Sequence, residues 1–216
     1  MENAKNKLKN ISTAWIDYKK AYDSVPHDCI IDTLKLHKFN TTFTNFLQST
    51  MTNWQTSLTL NHENGLISTD KFLINTGIYQ GDCPSGTLFI FSLLPLSWLL
   101  KESKLGYRLN KETTISHLLF MDDLKLYAAN DQQLNNQIKL VKTFSDDIRM
   151  SFGIEKCNKV TIKRGKITKS ENIVLDNGEI LKALDLNKMY KYLGFNEHQL
   201  PTKTLNQPSK KNTLKG

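Results

Sequence analysis

The stretch ISHLLFMDDLKLYA, residues 115–128, places two adjacent acids between two apolar, β-prone runs. Apolar runs on either side of two or three polar residues are typical of a β-hairpin. We therefore expect strands at Ile115–Phe120 and Leu124–Ala128, with Asp122 and Asp123 at the tip of the hairpin. An Asp-Asp pair alone usually marks a solvated turn. The apolar flanks favour a pair that is held in place.

A third acid follows another strand-like segment near the N-terminus. The segment STAWID, Ser12–Asp17, is rich in β-forming residues and ends at Asp17. If this strand is a neighbour of the hairpin, three carboxylates converge at one edge of a sheet. Converging carboxylates repel one another, and a hard divalent cation is the usual reason for assembling them. Two such ions activate an attacking hydroxyl and stabilise a leaving pyrophosphate in polymerases and nucleases.

The rest of the pattern predicts one α+β domain with a sheet covered by helices. Helical spacing of apolar residues predicts helices near 30–39, 43–54 and 85–100, and a long helix capped by Asp131. Further strands are predicted at Gln55–Asn61, Leu66–Asn75, Asn158–Lys163, Ile173–Leu175, Ile180–Ala183 and Met189–Phe195.

Charge and cysteine usage narrow the class of protein. Lys and Arg number 29 against 21 Asp and Glu, which gives a net charge of +8 and fits a polyanionic partner, either nucleic acid or an anionic membrane. The three cysteines are far apart and show no C-x-x-C spacing, which argues against a zinc ribbon and a disulfide framework. The apolar run 87–100 is interrupted by Pro95 and is too short to cross a bilayer, so we expect a buried helix there. Residues 1–10 do not form a signal peptide, so we expect an intracellular protein, in the nucleus or cytoplasm.

Five segments, in order along the chain, resemble the palm motifs of reverse transcriptases. Phe120-Met121-Asp122-Asp123 resembles the F/Y-x-D-D box. The other four are WIDYKKAYDSVPH (15–27), GIYQGDCPS (77–85), FGIEKC (152–157) and YKYLG (190–194). The combination of D-Y-K-K-A-Y-D-S-V-P-H with Q-G-D-C is similar to that of non-LTR, LINE-like retrotransposons.

The resemblance implies an architecture. It predicts the palm of a right-hand polymerase, a ferredoxin-like sheet covered by helices, with partial fingers elements and no thumb. Residues 1–11 then form a lead-in, 12–195 the palm-centred reverse transcriptase domain, and 196–216 a disordered basic tail. The fingers, thumb and endonuclease segments of a longer polyprotein are expected to be missing.

The resemblance also implies RNA-directed DNA synthesis. Asp17 and Asp122 become the principal ligands of two Mg²⁺ ions, with Mn²⁺ as a substitute, and Asp123 becomes the third acid, in a weaker role. Lys156 offers a proton or positive charge to the departing pyrophosphate. Its alternative is an ordinary solvated lysine.

The same resemblance predicts contacts with the substrates, which are an RNA template, a DNA primer and deoxynucleoside triphosphates rather than a membrane. Tyr22 lies under the sugar of the incoming nucleotide and excludes a 2′-hydroxyl, unless it is simply a core aromatic. The nucleotide and template contact residues are Gln80 and Gly81, and the primer-binding residues are Tyr192, Leu193 and Gly194. An ordinary loop and a packed strand are the respective alternatives.

Two alternatives in function stay open at this point. Pro84 and Gly86 on either side of Ser85 depart from the family pattern, and with the expected missing segments they favour a truncated, inactive remnant that at most binds nucleic acid. A group II intron maturase or retron-like enzyme is the other. Read with the motifs, the cluster Lys159, Lys163, Arg164, Lys166 and Lys169 is expected to face a duplex backbone, and a solvated basic strand end is the alternative.

Overall fold

A computed structural model describes residues 4, 6–63, 65–184, 190–193 and 195–197. The helices are α1 (Ala21–Ser24), α2 (His27–Leu36), α3 (Thr41–Thr52), α4 (Ser85–Glu102) and α5 (Asp131–Asp147). The strands are β1 (Ile11–Ile16), β2 (Gln55–Thr56), β3 (Thr59–His62), β4 (Gly65–Ser68), β5 (Phe72–Leu73), β6 (Tyr107–Arg108), β7 (Thr114–Ile115), β8 (His117–Phe120), β9 (Asp123–Ala128), β10 (Asn158–Lys163), β11 (Lys166–Thr168), β12 (Ile173–Val174), β13 (Ile180–Ala183), β14 (Tyr190–Tyr192) and β15 (Phe195–Glu197).

The main sheet runs in the order β12-β13-β10-β1-β9-β8, and β11 pairs with β10. The strands β10, β1, β9 and β8 are successive antiparallel neighbours, with β1 between β10 and β9, whereas β13 pairs with β10 in parallel. Along the chain these elements follow as β1, helix, β8, β9, helix and β10, and in the sheet the strands lie in the order β10-β1-β9-β8. This combination is the ferredoxin-like arrangement. The α+β class and the ferredoxin-like sheet predicted from the sequence are therefore present.

The helices cover one face of this sheet. Ala14 and Ile16 of β1 share a buried cluster with Leu124 and Leu126 of β9 and with residues of α2, α4 and α5. The contributions from the helices are Ile30, Ile31, Leu34, Leu88, Phe89, Leu93, Leu96, Leu100, Leu134, Ile138 and Val141. Alternate residues of β1 and β9 therefore point into this core, and the residues between them point to the opposite face.

The helix predicted over 85–100 is confirmed, because α4 continues through Pro95 to Glu102, with Leu93 and Leu96 buried on either side. Two other local expectations are wrong in detail. Asn130, not Asp131, caps α5, because its side chain accepts a hydrogen bond from the Gln133 N–H.

The predicted last strand is in fact a hairpin. β14 pairs with β15 through Tyr192 and Phe195, and Leu193 turns the chain with a φ of +48°. β15 reaches Glu197, two residues beyond the predicted end of the domain. Met189 and the predicted tail from residue 198 onward lie outside the described residues. Across the part of the chain that is described, none of the helices is long and apolar enough for a membrane crossing.

Lys159 joins the sheet to α5 from inside the protein. It is fully buried, and its ammonium donates to both carboxylate oxygens of Asp131 at 3.0 and 3.1 Å and to the amide oxygen of Asn135 at 2.9 Å. The Thr161 hydroxyl donates to the same carboxylate at 3.0 Å. The sequence predicted that Lys159 belongs to a basic surface, and this prediction is wrong because the side chain is buried. Lys163 of the same strand is exposed.

Replacing Lys159 with Met is expected to lower the free energy of unfolding by about 2–3 kcal/mol, since Asp131 and Asn135 lose their shared donor. Lys163→Met removes the same charge from the exposed end of β10 and should stay within about 0.5 kcal/mol of the wild type. Urea unfolding followed by circular dichroism measures both values. Equal stability of the two variants would contradict this role for Lys159.

Candidate active site

The pairing of β1 with β9 brings the three predicted acids to one edge of the sheet. Ile16 is the partner of Leu124, so Asp17, which follows β1, and Asp123, which begins β9, emerge beside each other. Phe120 pairs with Asp123 across the β8–β9 turn, which leaves Met121 and Asp122 at its tip. The predicted hairpin is confirmed, with Asp123 already in the strand.

The electrostatics show that these carboxylates affect one another. Burial, and then the negative charges of Asp122 and Asp17, raise the pKa of Asp123, which nearby Lys156 partly opposes. Lys156 Nζ lies 3.3 Å from Asp17 Oδ1 in an ion pair, and the bond to this carboxylate raises the pKa of Lys156. Asp17 Oδ1 is buried and, apart from this ion pair, has no hydrogen-bond partner.

The loop after α5 fixes the backbone of Asp17. The Gly153 N–H donates to the Asp17 carbonyl at 2.8 Å. The Cys157 thiol lies 3.4 Å from the Asp17 N–H, which donates to it, and 3.6 Å from the Asp17 carbonyl. A Cβ at Gly153 would lie only 2.7 Å from Asp17 Oδ1, so a side chain at this position would have to displace the Asp17 carboxylate.

The donor set fits a hard divalent cation in its chemistry. Such ions take oxygen ligands, and Asp17, Asp122 and Asp123 supply carboxylate oxygens, one of them buried without a hydrogen-bond partner. Within the described ranges, however, no three His, Cys, Asp or Glu side chains are grouped closely enough to hold one ion as they stand. An ion bound here would replace Lys156 as the positive charge beside Asp17.

Tyr22 lies next to the acidic hairpin. Its ring stacks on Phe89 of α4 with centroids 4.7 Å apart, and its hydroxyl lies 3.7 Å from the Met121 sulfur, to which it donates. A Cβ at Gly86 would be 3.5 Å from the Met121 methyl, an ordinary contact. The half-buried Tyr22 thus packs on the core and still borders the acids.

The segment between β1 and α2 anchors the start of the predicted nucleotide loop, which precedes α4. The Gly77 N–H donates to the Val25 carbonyl and the Ile78 N–H to the Tyr22 carbonyl, both at 2.8 Å. The buried His27 ring contacts the Gly77 carbonyl through Nε2 at 2.8 Å. His27, which closes the V-P-H part of the first motif, therefore has a structural role here.

Gln80 and Gly81 are exposed beyond this anchored base. Gly81 has a φ of +98° and nothing within 4 Å of a Cβ, so the backbone angle rather than crowding within the protein favours glycine. Ser85 at the start of α4 is buried and its hydroxyl donates to the Tyr79 carbonyl. The loop is therefore anchored at both ends and open to solvent at Gln80.

The predicted primer-binding residues do not all face the same way. Leu193 is exposed at the β14–β15 turn, whereas the Tyr192 ring is buried against the sheet. Gly194 lies outside the described residues. The structure thus gives Tyr192 a packing role, and the tip of the hairpin is what it presents to solvent.

The match to a known family covers almost the whole described chain. The family described as "Reverse transcriptase (RNA-dependent DNA polymerase)" matches residues 1–197. The chain belongs to the reverse transcriptase family. Its resemblance to that family, seen first in the five motifs, is confirmed. Membership implies catalysis that depends on divalent metal ions in general.

The relatives of this reverse transcriptase include retrotransposon polyproteins. It is 27% identical over 191 residues to the Retrovirus-related Pol polyprotein from type-1 retrotransposable element R2 of Popillia japonica, a match that covers 87% of the chain and 31% of the relative. It is 29% identical over 188 residues to that of type-2 element R2DM of Drosophila melanogaster, with 84% and 17% covered. The expected non-LTR origin is confirmed, and the chain spans less than a third of either relative.

Solved structures of telomerase share the fold. Apo telomerase of Candida tropicalis, truncated from its C-terminal domain, matches with a TM-score of 0.52 at 14% identity over 80% of this chain and 34% of its own. The telomerase of the same organism in complex with a TWJ fragment of telomeric RNA matches with a TM-score of 0.53 at 14% identity over 83% and 31%. These similarities support the palm-like fold.

Cys157 should make the reverse transcriptase domain sensitive to alkali. Burial raises the pKa of its thiol from 9.0 to about 12. The contribution of this thiol to the free energy of unfolding is fully present below pH 9, where the thiol of the unfolded chain is also protonated. It is lost as the pH rises toward 12, by up to ~1.4 kcal/mol per pH unit. Urea unfolding between pH 8 and 10 measures this decline.

The decline should be shallower in Cys157→Ala. Cys83 is exposed, and Cys83→Ala should leave the pH slope unchanged. In the native chain at pH 8, the exposed thiol of Cys83 should react with a disulfide reagent long before the buried thiol of Cys157 does. Parallel pH slopes for wild type and Cys157→Ala would contradict the assignment.

Proposed function

We propose that this chain is the RNA-directed DNA polymerase domain of a non-LTR retrotransposon polyprotein, adding deoxynucleotides to a primer 3′-hydroxyl. The observation that carries the proposal is the convergence of Asp17, Asp122 and Asp123 at the edge of a ferredoxin-like sheet, within the influence of one another's charge. Such a set of acids has no structural need to converge, because their mutual repulsion costs stability.

Asp17 and Asp122 would hold two Mg²⁺ ions, for which Mn²⁺ substitutes, with Asp123 in a weaker supporting role. When bound, the ions activate the primer hydroxyl and stabilise charge on the departing pyrophosphate. In the reaction the 3′-oxygen bonds to the α-phosphorus, the bond from that phosphorus to the bridging oxygen breaks, and pyrophosphate leaves. Lys156, 65% exposed beside Asp17, is free to supply positive charge or a proton to it.

Tyr22 would select the sugar. The stack on Phe89 and the bond to Met121 hold its ring in one plane beside the acids. A ring held in this way collides with a 2′-hydroxyl and favours deoxynucleotides. Gln80 and Gly81, on the anchored and open loop, would contact the nucleotide and template, and Leu193 and Gly194 the primer end, with Tyr192 holding them.

An RNA template, a DNA primer and deoxynucleoside triphosphates are the proposed partners, in the nucleus or cytoplasm. One telomerase with this fold was solved with telomeric RNA. The basic residues exposed on the β10–β11 side, which are Lys163, Arg164, Lys166 and Lys169, supply charge for a phosphate backbone. Fingers, thumb and endonuclease segments belong, in this proposal, to the longer polyprotein, and β2–β5 with α2 and α3 form a partial fingers region.

Primer extension on an RNA template tests the proposal. Asp17→Asn and Asp122→Asn should each lower the rate at least about a thousandfold, because the ions contribute several kcal/mol of charge stabilisation. Asp70→Asn, at an exposed loop acid, is the matched control and should extend at the wild-type rate.

Two results contradict the polymerase assignment. Equal incorporation by Asp122→Asn and Asp70→Asn would remove the acids from catalysis. A wild-type chain that binds primer–template in a salt-dependent manner without extending it would instead support the inactive remnant.

Gly153→Ala should separate positioning from folding. The new Cβ forces the Asp17 carboxylate to move, and a displacement of about 1 Å at a reacting group costs roughly a hundredfold in rate. Thermal unfolding should shift little, because a carboxylate side chain yields more easily than backbone. Ser151→Ala, an exposed change in the same loop, is the control. A Gly153→Ala chain with wild-type extension would show that Asp17 tolerates the shift.

A further inference from the structure

Lys125 is a buried lysine on the face of the sheet opposite the main core. It lies in β9, two residues after Asp123, and pairs across the sheet with Trp15 of β1. Its exposed fraction is 3%, and that of Trp15 is 2%. A lysine in this setting must have its charge compensated by groups around it.

Aromatic rings surround the Lys125 ammonium. Its Nζ lies 5.1 Å from the centroid of the Trp15 ring, 5.6 Å from that of Tyr127 and 5.0 Å from that of Tyr192. A cation within about 6 Å of a ring is attracted by the ring's electron-rich face, and the attraction grows when both are removed from water. We call Lys125, Trp15, Tyr127 and Tyr192 the lysine cage.

Two of these rings belong to the palm sheet, and one belongs to the β14–β15 hairpin. Within the described part of the chain this hairpin is a separate two-stranded sheet, with no backbone pairing to the main sheet. An isolated hairpin of three-residue strands is marginal by itself. Its position relative to Asp123 must therefore be set by side chains.

The second anchor of the hairpin is Tyr190. Its ring stacks on Trp15 with centroids 4.5 Å apart, and its hydroxyl donates to the Lys156 carbonyl at 3.0 Å. Trp15, two residues before Asp17, therefore contacts both the Lys125 ammonium and the Tyr190 ring. The hairpin, the loop that carries Lys156 and the strands that carry the acids meet at this one place.

We propose that Lys125 is a positioning residue. It holds the β14–β15 hairpin in place relative to the sheet edge that carries the three acids, and thereby positions the primer 3′ end. The proposal rests on the proposed function for the identity of the primer, and on the contacts of Lys125 and Tyr190 for the docking of the hairpin. A lysine two residues from a metal-binding acid links the two placements, because one strand carries both. Charge, and not only bulk, is what the cage requires of position 125.

The test compares Lys125→Met, which keeps the length and loses the charge, with Lys125→Arg, which keeps a cation over the rings. Lys139→Met, at an exposed position of α5, is the control. The first measurement is amide hydrogen exchange in the peptide that spans 190–197. The second is the KM for primer–template and for the nucleotide in the extension assay, using the full chain.

Lys125→Met should exchange about tenfold faster in that peptide and raise the KM for primer–template about tenfold, with the KM for the nucleotide within about twofold of wild type. Lys125→Arg should restore both values, which a merely space-filling role would not predict. Tyr192→Leu removes the hairpin's ring without touching the sheet, and should reproduce the effect if Lys125→Met fails to fold.

Wild-type exchange in both Lys125→Met and Tyr192→Leu would overturn the docking role. An unchanged KM for primer–template in variants that do exchange faster would overturn the link to the primer. A wild-type chain that does not extend at all would count against the proposed function, and the exchange measurement would still decide whether the lysine cage holds the hairpin.

Discussion

Antiparallel pairing of β1 with β9 is the constraint on which the site depends. It joins residues more than a hundred positions apart, with Ile16 opposite Leu124, and places three acids at a single edge. Burial, and then the negative charges of Asp122 and Asp17, raise the pKa of Asp123, so both the desolvation and the repulsion of these acids work against the pairing. The apolar contacts of Ala14 and Leu126 with the helices offset that cost, since both residues are fully buried.

The structure also explains why the edge needs support from elsewhere. Asp17 follows a strand end, and a carboxylate there would be free to turn without the backbone contacts of Gly153 and Cys157. The loop that supplies these contacts also carries Lys156, so the same segment positions both Asp17 and Lys156. On the opposite face the Tyr190 hydroxyl donates a hydrogen bond to the Lys156 carbonyl and so connects the hairpin to that loop.

Much of the fold could be predicted from the sequence because its strands and helices obey simple periodicity. The tip at Asp122 and the strand before Asp17 follow from alternation and apolar flanks alone. What alternation cannot reveal is the partner of a charged side chain. Lys159 and Lys125 stand at positions that pattern rules assign to a polar surface, yet both are buried, Lys159 in an ion pair with Asp131 and Lys125 beside three aromatic rings. The split of the last strand was missed for a related reason, as only a left-handed backbone angle marks its turn.

The central place of β1 has a consequence for synthesis on the ribosome. Both of its neighbours are made late, since Ser12 bonds to Thr161 across 149 positions. At about 5–20 residues per second, the strand waits roughly 8–30 seconds before its second neighbour has been translated. Until β10 has been made, β1 lacks one of its two neighbours in the sheet, so a nascent chain in this state exposes apolar residues of β1 to which chaperones can bind. The first strand to leave the ribosome is thus among the last to be completed in the fold.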